Sequence, residues 1–175
     1  MICFFIFPTN FSAVCVKTTN LDPIAVTVIM VALDVVAALV GVVFGGMMRL
    51  FRLSVKYFAP IFFLLGYLCF ATSPSLPSLL VGCLFIGIAN GIGVPYLNTI
   101  ASIKAGQDAA TTVMPLLSAA LYAGQFLSPL VATPLAAKFF PDNLSGIYWI
   151  ACAFSILFLL EAFATRRFQS LPPKE

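Results

Sequence analysis

Asp34 stands ten residues into an apolar run that starts at Ile24, roughly 15 Å along a helix rising 1.5 Å per residue and so near the middle of a bilayer. Of the six acids in the chain it is the only one embedded so deeply. Thr27, Asp34, Gly41 and Gly45 recur at offsets of 7, 14 and 18 from Thr27, which at 100° per residue is one narrow stripe. A carboxylate at that depth must face protein or a water-filled cavity. There it carries a coupling proton or cation, balances the charge of a cationic solute, or stays protonated or paired and only locks helices together. Uncharged polar groups recur in three other apolar runs. Asn90 and Asn98 lie among Gly82, Gly87, Gly91, Gly93 and Pro95, and Tyr122 and Gln125 share a face with Ser118 and Pro129. Thr9 and Asn10 follow Pro8. At membrane depth such groups either line a path for a solute or bridge neighbouring helices. Pro8 predicts a break in the first run, and Gly87 with Gly91 predicts a close helix contact.

The chemistry is bounded as much by what is missing. There is no histidine, which excludes imidazole bases, Ser-His-Asp triads and the commonest metal sites. The five cysteines lie in apolar stretches without CxxC spacing and read as small buried hydrophobes. An intramembrane protease would need a Ser-His dyad or two deep acids. No enzyme activity, cofactor or metal is expected. A net charge of +3 with scattered basic residues gives no nucleic-acid footprint.

The elements that must position these groups follow from composition. Of 175 residues 62% are hydrophobic and 9% charged, with a mean hydropathy of +1.09, far outside the range of a soluble domain. A hydrocarbon core of about 30 Å takes roughly 20 helical residues. Six apolar runs approach that length, at residues 2–16, 24–48, 55–73, 78–101, 113–137 and 146–165, followed by a polar tail, 166–175. The first is short. A cleaved leader is the rival reading for it, but it lacks a basic start and a small residue before Cys15. Six spans put both termini on one side. Arg49, Arg52, Lys56, Lys104, Arg166, Arg167 and Lys174 fall on that side and only Lys17 and Lys138 opposite, which predicts cytoplasmic termini.

Gly124-Gln-Phe-Leu-Ser-Pro129, Pro95-Tyr-Leu-Asn98 and Phe7-Pro-Thr-Asn10, in this order of spans, resemble the C-terminal half of a major facilitator superfamily transporter, most of all its bacterial sugar- or drug-efflux branch. Gly45-Gly-Met-Met-Arg49-Leu-Phe-Arg52 is similar to a degenerate form of that superfamily's loop signature, Gly-x-x-x-Asp-Arg-x-Gly-Arg-Arg, with Arg49 in place of the acid and Arg52 in place of the second glycine. The resemblance implies an all-α fold of six transmembrane helices, half of a twelve-helix transporter, in the bacterial inner membrane. It also implies a solute site between two halves, so that Thr9, Asn10, Asn90, Asn98, Tyr122 and Gln125 would line a cavity and Asp34 would couple proton movement to export of a small organic solute. The partners implied are the lipid bilayer, the solute, and an N-terminal half or a second copy. The alternative is a membrane protein that packs and assembles without moving solute.

Overall fold

The computed structural model describes residues 2–19, 21–73, 75–141, 143 and 145–165; the tail expected at 166–175 lies outside them. The described residues are all-helical: α1 (Ile2–Thr19), α2 (Pro23–Phe51), a 3-10 turn (Arg52–Ser54), α3 (Val55–Thr72), α4 (Leu76–Phe139) and α5 (Gly146–Ala164). Gly106, at φ 67° and ψ 179°, breaks α4 into two arms, Leu76–Gly106 and Thr111–Phe139. Five helices are therefore long and apolar enough to cross a bilayer: α2, α3, both arms of α4, and α5. The chain is a multi-pass integral membrane protein.

Local chemistry sets the helix ends. Pro23 opens α2 at a position whose N–H would be unpaired in any case, and the Asp22 carboxylate accepts from the Ile24 N–H at 3.2 Å. The Ser78 hydroxyl donates to the Cys69 carbonyl at 2.7 Å, tying the start of α4 to the end of α3.

Contrary to the break expected at Pro8, α1 runs through it and extends to Thr19. Proline removes one N–H and crowds the preceding carbonyls. The Thr9 hydroxyl donates to Phe5 O at 2.8 Å and lies 3.2 Å from Ile6 O, while the Asn10 amide donates to Ile6 O at 2.9 Å. Side-chain donors thus serve carbonyls around the proline, as an apolar medium requires. Its 18 residues span about 27 Å, slightly under the hydrocarbon thickness.

Lipid tails offer no hydrophobic drive for helices to associate, so close packing must supply the attraction. Two devices do so here. Aromatic rings interlock α1, α3 and α5: Phe4 meets Phe63 edge-on at 4.7 Å, Phe7 stacks on Phe70 at 5.5 Å, and Phe70 lies 5.0 Å from Tyr148. Glycines bring α2 onto α4. A Cβ at Gly87 would lie 2.9 Å from the Leu33 carbonyl oxygen, and one at Gly91 2.5 Å from that of Ala37. Burial is uneven. Half of the first α4 arm's span is buried, 44% of α3's and 33% of α5's, against 17% for the second α4 arm and 11% for α2. Those last two carry the outward faces of the bundle.

Candidate functional site

Asp34 lies on the exposed side of α2, beside the seam with α4, and has no hydrogen-bond or ion-pair partner among the described residues. Its stripe follows that edge. Gly41 is half-buried, 3.9 Å from the Gly91 carbonyl oxygen as measured from an added Cβ, whereas Gly45 meets nothing within 4 Å. Thr27 is exposed and returns its hydroxyl to Pro23 O at 2.9 Å.

Packing contacts fix the depth of the neighbouring polar groups. Leu33 touches Gly87, and the Phe4 ring touches Gly93, so Asp34 and Asn90 sit at similar levels. Thr9 is five residues beyond Phe4, about 7.5 Å along an antiparallel helix, and reaches the same level to within about a turn. Asn90 is half-buried and Thr9 exposed. Three of the expected residues, from α1, α2 and α4, therefore share one depth.

The remaining expected residues are spread more widely. Asn98 is exposed, eight residues further along α4 than Asn90, or about 12 Å. Tyr122, 71% exposed, and Gln125 lie on the outward side of the second α4 arm. The inward side of that arm carries Gly124, Ser128 and Ala132, all buried. Ser128 is a polar residue that spacing did not single out, and its hydroxyl has no partner among the described residues.

Asn10 lines a cavity of about 330 Å³ with Thr133, Asn143 and Ile147 at the Lys17 end of the bundle. A larger gap of about 660 Å³ separates the second α4 arm, at Gly124 and Leu127, from Phe4, Leu97 and Phe158. An apolar groove of about 310 Å³ runs between α2 and α4 beside Leu33 and Cys83. A fourth cavity, about 200 Å³, opens at the other end near Lys56 and Lys104.

The loop after α2 has one unusual residue. Arg52 adopts φ 47° and ψ −122°, with its N–H donating to the Met48 carbonyl. Positive φ is where a side chain costs of order 1–2 kcal/mol and glycine costs nothing. Arg52 therefore holds a backbone conformation that its residue type does not favour. Gly45 and Arg49 are exposed on the last turns of α2.

No group of three His, Cys, Asp or Glu residues that would hold a metal occurs among the described residues. Comparison of the chain with protein-family models, curated proteins and solved structures finds no match in any of the three.

Proposed function

We propose that this chain is the C-terminal six-helix portion of a major facilitator-type secondary transporter that exports a small organic solute, a sugar or a lipophilic drug, in exchange for protons. What carries the reading is Asp34: a carboxylate without a partner among the described residues, on the outward side of an apolar 29-residue helix and level with Asn90 and Thr9. Hydrocarbon leaves such a group several kcal/mol worse off than water or a polar partner does. A second wall facing it would enclose water, and a solute held between the walls would meet the acid and the Asn90 amide together. Protonation when the site opens to one side, and release when it opens to the other, would couple the two fluxes. The exposure of α2 and of the second α4 arm fits them as the helices that meet the second wall.

One observation favours the rival reading of a non-transporting assembly partner. Thr9 and Asn10 already donate to their own helix, so on α1 the polar groups serve the backbone first. Flux separates the two. Purified chain, verified as monomeric and reconstituted in proteoliposomes, should show no saturable, protonophore-sensitive movement of a sugar or cationic dye, and flux should appear on co-expression with a complementary N-terminal half. Flux by verified monomers would overturn the half-transporter reading, and silence of the paired halves would leave the assembly partner.

The proposed orientation has both termini in the cytoplasm of a bacterial host. In a background without native cysteines, single cysteines at Asp22, Ser75 and Asn143 should react with an impermeant maleimide from the periplasm, and those at Ser54 and Lys104 should not. The reverse pattern would reverse the orientation.

A further inference from the structure

Lys56, placed by its sequence with the basic residues on the side of the termini, has only 7% of its surface exposed. It is the second residue of α3 and lines the 200 Å³ cavity together with Lys104 of α4 and Glu161 and Thr165 at the end of α5. Its ammonium lies 5.1 Å from the centroid of the Tyr57 ring, and among the described residues it has neither an ion pair nor a hydrogen bond. A cation lining a narrow cavity draws a counter-charge into it. Glu161, the one acid lining this cavity among the described residues, is exposed and has no ion pair with any of them.

The cavity has a size and a depth that limit which anion it can take. About 200 Å³ is room for roughly six or seven waters at ~30 Å³ each, and falls short of the roughly 300–1,000 Å³ of sites for drug-sized ligands. The cavity lies where helices end: α3 begins at Val55, the first α4 arm stops at Gly106 and α5 at Ala164. That arm, 31 residues long, spans about 46 Å, more than the hydrocarbon layer, so its ends lie among lipid headgroups. Arg49, Arg52, Lys56 and Lys104 make this the basic end of the described bundle, and anionic headgroups are drawn to such an end.

We propose that this cavity holds the phosphate of a membrane-lipid headgroup, with Lys56 at its base and Lys104 at its mouth. The positive end of the α3 helix dipole adds to the same attraction. The proposal is independent of the transport reading, since it needs neither Asp34 nor a second half.

The test is native mass spectrometry of the full chain, purified in detergent and stripped of lipid, on adding back phosphatidylglycerol, the phosphate-free galactosyl diacylglycerol, or inorganic phosphate. The unaltered chain should retain one phosphatidylglycerol saturably and show at least tenfold weaker retention of the glycolipid. Lys56→Gln should weaken phosphatidylglycerol at least tenfold, Lys56→Arg should keep it, and Lys138→Gln at the opposite end should leave it unchanged. Glu161→Gln should hold the lipid as tightly or more so, because a competing negative charge is gone. An unchanged thermal midpoint by Trp149 emission shows that each variant is folded, and the Lys56→Arg result stands if Lys56→Gln is not. Equal retention of glycolipid, or of phosphatidylglycerol by folded Lys56→Gln, overturns the proposal. Displacement of the lipid by inorganic phosphate at equal concentration reassigns the cavity to a free anion. Loss of binding in Glu161→Gln makes that carboxylate the positioning partner and overturns it as well.

Discussion

Replacing Gly91 by alanine is expected to destabilise the bundle by about 2 kcal/mol or more, and replacing it by valine to abolish a cooperative unfolding transition. The added Cβ would fall 2.5 Å from the Ala37 carbonyl oxygen and 2.8 Å from the Val40 Cβ. The first of these is backbone, which cannot swing aside as the tip of a flexible side chain would, so α2 and α4 must separate along their length. Gly87, 2.9 Å from the Leu33 carbonyl oxygen by the same measure, should behave alike. Gly46 is the control. It is exposed, a Cβ there meets nothing within 4 Å, and alanine should gain up to about 1 kcal/mol from helix propensity alone. Thermal scans of the detergent-solubilised variants, followed by the emission of Trp149, read both signs. A Gly91→Ala midpoint equal to that of the parent would mean that the α2–α4 seam is not packed as described.

Asp34 is expected to give opposite results for function and for stability. On the proposed transport reading, and with a complementary N-terminal half supplied, Asp34→Asn should reduce proton-driven accumulation of solute to about 1% while exchange down the solute's own gradient continues, since an amide keeps the shape and polarity but carries no proton. In the 175-residue chain by itself, Asp34→Leu should stabilise the inserted state by about 3–4 kcal/mol, because a mid-bilayer aspartate costs about 2.5–3.5 kcal/mol and a leucine is favourable. A carboxylate that merely locks helices would behave in the opposite way, with Asp34→Leu lowering stability and Asp34→Asn leaving coupling intact. Undiminished proton-driven accumulation in Asp34→Asn would remove the coupling role.

Five of the six expected spans recur as helices long enough to cross a bilayer, because long apolar runs leave no other way to satisfy the backbone in lipid. Their ends were less legible. The eleven residues between the fourth and fifth runs, around Lys104 and Asp108, read as a loop, yet the helix continues to Gly106 and helical backbone follows it directly. Interfacial water tolerates charged side chains on helical backbone, and only the glycine's φ marks the break. Lys17 and Thr19 likewise extend α1 instead of ending it, with the Thr19 hydroxyl on Cys15 O at 2.7 Å. Gly87 and Gly91 were legible as a contact because a four-residue spacing of glycines has a direct geometric meaning. The burial of Lys56 was not, since it depends on how α3, α4 and α5 meet, which no local pattern encodes. Nor was the inward turn of Ser128, which shares its arm with Tyr122 and Gln125 but lies on the opposite side.

The uneven burial of the bundle bears on how much of this protein a cell can hold. An inserted chain whose α2 is only 11% buried, with an acid that has no partner among the described residues, would spend time in loosened states, and such states are what chaperones and proteases remove. Covering that face would slow removal without any change in synthesis. The steady amount of the chain would then follow the supply of whatever surface covers it, and an excess of either component would be cleared until the two match in number.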